Sequence, residues 1–173
     1  FTPIDQFPDV LKNAVIAAED KRFREHWGVD VIGVARAALG NLTGGVQSGA
    51  STITQQVARN FYLTNERTFT RKFNEALLAY KIEKTLTKDQ ILELYFNQIY
   101  LGQRAYGFAA AAKIYFNKNV RDLNLAEATI LAGLPKAPSA FNPIVNPERA
   151  RLRQEYILNN MVELNMITAA EKQ

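Results

Sequence analysis

Glu19 and Glu75 are the residues of this chain whose positions suggest chemistry, because each is an acid where helical spacing expects a hydrophobe. Leu11, Val15, Glu19 and Phe23 recur at steps of four, so on one helix they share a lane, with His26 a turn beyond. A carboxylate there is paired or only partly solvated, and desolvation raises its proton affinity towards the range a general base or acid needs. Asp20 points about a third of a turn elsewhere. Taken alone, Glu19 reads rather as an acid at the edge of the stripe, bonded to a nearby Arg. Glu75 shares its lane with Leu78, Ala79 and Ile82, and Arg67 and Arg71 precede it at helical intervals. An exposed Arg71 to Glu75 pair is worth only about 0.2–0.5 kcal/mol; a buried one is harder to dismiss as decoration. A third pattern is Thr52, Gln56 and Arg59 at i, i+4 and i+7, a hydroxyl, an amide and a cation near a helix N-terminus that attracts anions. A solvated polar face has the same spacing, but it usually carries Glu or Lys.

Two acids in apolar lanes, with cations nearby, suit chemistry at an anomeric carbon. Glycosyl transfer needs a carboxylate to take a proton from the incoming hydroxyl and cations to hold a phosphate leaving group. A glycoside hydrolase also uses two acids but has less need of cations. The basic residues tilt the choice towards a phosphate-activated donor without excluding hydrolysis.

The elements that must position these residues are helical throughout. Pro8-Asp9 starts a first helix that runs through the Glu19 lane and ends near Gly28. Asp30 caps a second, with Val31, Val34, Ala35, Ala38 and Leu39 at helical intervals. Gly40 to Gly49 has four glycines in ten residues and no period, so it reads as a mobile loop, a gate over a cleft or a plain connector. Thr52 with Gln55 forms a capping box before a helix burying Ile53, Val57 and Phe61. Thr70 caps a helix over 71–84, apolar most of the way round through Phe73, Ala76, Leu77 and Tyr80 as well as the Glu75 lane, and therefore expected to be central. Thr87 with Gln90 opens a helix with Ile91, Leu94, Tyr95 and Ile99 inward, Glu93 and Asn97 aligned, and Gly102 closing it. An alanine-rich helix over 106–116 reads as core, and Asn124 with Glu127 starts another that stops at Gly133. Four of the six prolines then enclose Lys136 in a stiff segment, before Asn146-Pro147 opens a last long helix. No strand pattern, repeat or low-complexity tract is found.

At 173 residues, 47% hydrophobic and 22% charged, the chain reads as one domain able to bury a core without metal or disulfide. A net charge of +4 suggests an anionic partner: substrate phosphates, nucleic acid or an acidic membrane surface. With no Cys and a single His, thiolate chemistry is excluded and zinc argued against. No apolar run reaches spanning length and no signal peptide opens the chain. Phe1 stands where an initiating Met would, and Thr168 to Glu171 is a capping box with little chain beyond it, so the protein is expected to continue on both sides.

Glu19-Asp-Lys-Arg-Phe-Arg-Glu-His-Trp-Gly28 resembles the E-D-x-x-F-x-x-H-x-G motif of the peptidoglycan glycosyltransferases, the polymerase domain of class A penicillin-binding proteins and of monofunctional wall transglycosylases. Gly49-Ala-Ser-Thr-Ile-Thr-Gln-Gln56, Arg71-Lys-Phe-Asn-Glu75 and Ile91-Leu-Glu-Leu-Tyr-Phe-Asn97 are similar to the next three motifs, in the family's order. Lys136 within Leu-Pro-Lys-Ala-Pro-Ser, followed by Asn142-Pro, resembles the fifth region less specifically. The resemblance implies a mainly α fold, a lysozyme-like helical head beside a small membrane-facing lobe with a long cleft between them. It makes 1–173 one glycosyltransferase domain, with a membrane anchor and any transpeptidase domain outside it.

The resemblance further implies polymerisation of lipid II into glycan strands with inversion, releasing undecaprenyl pyrophosphate, at the outer face of the bacterial cytoplasmic membrane. Glu19 would deprotonate the acceptor 4-hydroxyl, and Glu75 would assist at the donor pyrophosphate, directly or through a divalent cation such as Mg2+ or Mn2+. No organic cofactor is implied. Ser51, Thr52, Gln56, Arg59, Arg67, Arg71, Asn97 and Lys136 fall where the family grips phosphates and sugars, while Asp20, Phe23 and His26 shape the site around the base. Arg59 stands where many members have Lys, which keeps the charge but changes the grip. The partners implied are lipid II, the growing strand and the membrane, the last through Leu39, Leu42, Phe61 and Tyr62 with Arg36 and Arg59. A lytic muramidase of related fold is the alternative. A basic helical nucleic-acid-binding domain comes third, since no basic stripe with interleaved aromatics is present.

Overall fold

The computed structural model describes residues 1–30, 51–61 and 69–173. The helix expected after Asp30, the Gly40 to Gly49 gate, Arg36, Leu39, Leu42, Tyr62 and the candidate Arg67 lie outside the described residues. Helices α1 (Asp9–Glu19), α2 (Ile53–Arg59), α3 (Phe69–Thr85), α4 (Lys88–Gln98), α5 (Phe108–Phe116), α6 (Leu125–Ala132), α7 (Pro147–Glu163) and α8 (Ala169–Lys172) make the fold mainly α, as read from the periods and caps. Among the described residues there is no strand, only a single antiparallel bridge between Tyr100 and Tyr106, and no helix is long and apolar enough to cross a membrane. The chain divides into two compact units, one of Phe1–Lys21 with Phe96–Gln173 and one of Arg22–Tyr95.

In the first unit α1, α6 and α7 pack on one another. Leu11, Ala14, Val15 and Ala17 of α1, Ala128, Leu131 and Ala132 of α6, and Ala150, Ile157 and Met161 of α7 are buried at their centre. Each large side chain buried there contributes about 1.5–3 kcal/mol. Phe96 joins this unit edge-on to Phe7 and tilted against Phe108, with both ring centroids at 5.0 Å.

Helix α1 stops at Glu19 rather than near Gly28. Glu19 and Asp20 bring two carboxylates to the end where the last carbonyls already present negative charge, which opposes another turn. Asp20 leaves helical geometry, and 21–28 forms turns instead. Gly28 does adopt positive φ, but for a different reason from a helix end. A Cβ there would lie 3.0 Å from the carbonyl carbon of Ala79, so glycine lets the turn lie directly on the α3 backbone.

In the second unit α2 packs on α3, with Ile53, Val57 and Ala58 buried on α2 and Glu75, Ala79 and Ile82 buried on α3. The capping boxes at Thr52 and Thr87 form as predicted. Three other expectations need correction. Helix α2 ends at Arg59, so Phe61 lies past its lane and is exposed. Helix α3 buries one lane, not two: Phe73, Leu77 and Tyr80 are 63%, 48% and 39% exposed, because packing against α2 covers a single face. Helix α4 ends at Gln98, and Gly102 at φ +80 turns the chain beyond it rather than capping it.

Candidate active site

The first unit carries Glu19, Asp20, Asn97 and Lys136 of the residues singled out in the sequence. Leu11 and Val15 are fully buried, so their lane delivers Glu19 to the end of α1 at the margin of a dry core. Its Oε1 is buried and has no hydrogen-bond partner among the described residues. Burial raises the proton affinity of Glu19 above that of an ordinary carboxyl, the charges of Arg153 and then Lys136 pull it back, and Asp20 adds to the rise. Asp20 is itself buried, with its backbone N–H on the carbonyl of Ile16. Lys136 is exposed on the proline-rich segment after α6. Asn97 ties down the start of the chain: its Nδ2 donates to the Thr2 carbonyl at 2.8 Å and its Oδ1 accepts the Thr2 N–H at 2.7 Å.

The second unit gathers Glu75, Arg59, Ser51, Thr52, Gln56, His26 and Phe23, with Arg71 half-buried on α3. Glu75 is buried, and Arg59 of α2 donates from Nε to its Oε1 at 2.6 Å. The cation recorded on Glu75 thus comes from the neighbouring helix, not from Arg71 one turn before it. Arg59 Nη2 also reaches Ser51 Oγ at 3.3 Å, and Lys72 donates to the same hydroxyl. Two cations therefore meet one hydroxyl beside a buried acid, a grouping that can hold an anion. Lys72 was not singled out in the sequence; its place next to Arg71 in the third motif was the available signal.

Thr52 is buried and already occupied. Its Oγ1 donates to the Gly28 carbonyl at 2.7 Å and accepts the Gln55 N–H at 3.1 Å. Gln56 accepts from the Tyr95 hydroxyl at 3.1 Å. The 21–28 turn is a braced frame: the Gly28 N–H donates to His26 Nδ1 at 3.0 Å, which makes that nitrogen the acceptor. Phe23 is fully buried beneath Lys88, whose Nζ sits 4.6 Å from the ring centroid and donates to the His26 carbonyl at 2.7 Å. Lys88 also pairs with Glu83 at 2.7 Å, and Thr54 donates to that same carboxylate oxygen.

A buried, unbonded carboxylate oxygen in one unit and a basic cluster around a second acid in the other agree with the glycosyl-transferring class that the motifs suggest. Residues 1–162 match the family described as Transglycosylase, and the chain belongs to it, the family of peptidoglycan glycosyltransferases. It is 79% identical over 173 residues to penicillin-binding protein 1A of Neisseria gonorrhoeae, covering 99% of this chain and 22% of that protein. It is 60% identical over 171 residues to a putative transglycosylase of Cupriavidus necator, covering 99% of this chain and 74% of that one. A crystal structure of penicillin-binding protein 1A from Haemophilus influenzae aligns with a TM-score of 0.47 at 35% identity, over 69% of this chain and 14% of that chain. The chain thus spans about a fifth of the length of the penicillin-binding proteins 1A it matches.

Proposed function

We propose that this chain polymerises lipid II into glycan strands, with Glu19 as the general base. The observation that carries the reading is the buried Glu19 Oε1, which has no hydrogen-bond partner among the described residues and raised proton affinity. Such an oxygen is suited to accept the acceptor's 4-hydroxyl proton. As that proton moves to Glu19, the 4-oxygen attacks C1 of the donor from the face opposite the pyrophosphate. The new C1–O4 bond forms, the old C1–O bond breaks with its electron pair leaving on undecaprenyl pyrophosphate, and the anomeric configuration inverts. Arg59, Arg71 and Lys136 bind the pyrophosphate and stabilise its developing charge. Arg67 joins them in this reading, as do Ser51, Thr52, Gln56 and Asn97 for the sugars.

Glu75 acts at the donor by orienting Arg59. The residues described do not make a protein-held divalent site. Arg59 occupies Glu75 Oε1, and no group of three or more His, Asp or Glu side chains converges among the described residues. Mg2+ or Mn2+ would need oxygens from the substrate to complete its shell. Lipid II is a membrane lipid, so the reaction belongs at the outer face of the cytoplasmic membrane, with the lobe around Phe61 against the bilayer.

Purified protein incubated with lipid II should yield polymer, moenomycin should abolish it, and E19Q should slow it by about two to four orders of magnitude. Products from purified wall and none from lipid II would establish the muramidase instead. DNA affinity that falls steeply with salt, with no turnover, would replace both readings.

A further inference from the structure

Arg153, on α7, belongs to none of the motif stretches, yet it is built into the end of α1. It projects to the same face of α7 as Asn160, two turns on. Asn160 is buried and donates from Nδ2 to the Ala17 carbonyl at 3.0 Å, while Arg153 Nη2 donates to the Ala18 carbonyl at 3.3 Å. Both carbonyls belong to the last turn of α1, where no intrahelical partner exists. A cation is the favourable partner at that end.

The rest of the Arg153 side chain is also held. Its guanidinium lies 4.7 Å from the Tyr156 ring centroid and 5.8 Å from that of Phe141. Its stem crosses Gly133, where a Cβ would come within 2.8 Å of Arg153 Cγ. Arg153 Nε and Glu19 Oε1 are both buried without a hydrogen-bond partner. The cation thus grips the residue before Glu19 and leaves that carboxylate oxygen unbonded.

We propose that Arg153 is a positioning residue for glycosyl transfer, gripping the end of α1 so that Glu19 keeps a buried, unpaired carboxylate oxygen beside a fixed positive charge. The inference rests on Glu19 being the base. The charged groups that act on Glu19 are Arg153 from α7, Lys136 from the segment after α6, and Asp20 from the end of α1 itself. Bonded directly to Oε1, a guanidinium would hold the carboxylate ionised and occupied, which makes a poor base. Anchored on the Ala18 carbonyl, it tempers the effect of burial and leaves the oxygen open to the acceptor proton.

The test compares R153Q, which removes the charge, with R153K, which keeps it, and with N160L, which removes only the neutral grip. Polymerisation is followed against pH in the full chain, together with NMR titration of the Glu19 carboxyl. In R153Q the acidic limb should move to higher pH, with activity on that limb falling about tenfold against wild type and the alkaline plateau changing less than about threefold. The Glu19 titration should move with it. R153K and N160L should lower Tm and leave the limb in place. If R153Q lowers Tm and the limb and titration stay where they were, Arg153 is structural only and the proposal is overturned. Should R153Q not fold, R153M, which keeps the apolar stem against Gly133 and Tyr156 but removes the charge, must move the limb the same way; an unmoved limb there is equally fatal. E19Q separates the two levels. Near-normal activity in E19Q removes the base assignment itself, whereas a strongly impaired E19Q beside an unmoved R153Q limb defeats Arg153 alone.

Discussion

Glu19 closes α1 with Oε1 buried and unbonded, whereas Glu75 sits within α3 with Oε1 only 2.6 Å from Arg59. Both occupy lanes that are otherwise apolar, so the lane does not distinguish them. What distinguishes them is where each cation makes its bonds. Arg153 spends its Nη2 donor on a backbone carbonyl and leaves Glu19 open; Arg59 spends Nε on Glu75 itself. A carboxylate left open can take a proton, and one already paired can only orient its partner. On the proposed function, proton transfer falls to the first acid and anion handling, through Arg59, to the second.

The largest expected effect follows from that assignment. Glu19→Gln keeps shape but cannot accept a proton, so the polymerisation rate should fall by about two to four orders of magnitude with lipid II affinity nearly intact. Glu75→Gln should instead weaken donor binding, and if a metal completes its contact with the pyrophosphate the defect should vary across a magnesium series. Initial rates and affinities for both variants check this. Near-normal turnover in Glu19→Gln would collapse the distinction between the two acids.

A smaller effect is expected on the paired side. Arg59→Met strands the buried Glu75 carboxylate without its donor, which costs about 1–3 kcal/mol; Arg59 is itself 40% exposed, so solvent recovers part of the loss. Denaturant midpoints measure it. Arg59→Lys keeps the charge but a single ammonium replaces the fork shared by Glu75 and Ser51, so its loss should be intermediate. Next comes Thr52→Val, which removes the hydroxyl that both caps α2 and holds the Gly28 carbonyl, for about 1 kcal/mol of stability. If its activity falls at temperatures where it remains folded, Thr52 has a role at the substrate beyond this brace.

Helices and most caps were legible because they are local, although Thr70 lies inside α3 rather than capping it. Thr52 with Gln55 and Asn124 with Glu127 form the boxes their spacing requires, and Asn146-Pro147 opens α7 where read. The carboxylates were legible because an acid at a core position breaks its own period. The end of α1 was not, because the lane continues on paper through Phe23 while paired acids at the helix end stop it. Nor was the partner of Glu75. Sequence offers Arg71 at i−4, and only the packing of α2 on α3 brings in Arg59. Arg153 and Asn160 escaped for the same reason: on α7 they look like polar positions, and their meaning lies on the end of α1.

The smallest effect concerns stability against pH, and it tests whether Glu19 is held against its own ionisation. Burial raises its proton affinity in the folded protein above the ordinary value of 4.5, so the folded state binds a proton more tightly than the unfolded chain does. A carboxyl shifted in this direction adds no penalty below the unfolded value. Stability is then lost as pH rises through the window between the unfolded and folded values, and the whole cost is present above it. Glu19→Gln carries a neutral group of similar shape at every pH. It should therefore match wild type under acidic conditions and exceed it near neutrality, with the gap opening across that window. Glu127, whose affinity is lowered by Lys118, is common to both proteins and cancels in the difference. Paired unfolding curves from pH 4 to 8 supply the measurement. A difference independent of pH would mean that Glu19 ionises in the fold as freely as in the unfolded chain, and the contrast with Glu75 would then rest on geometry alone.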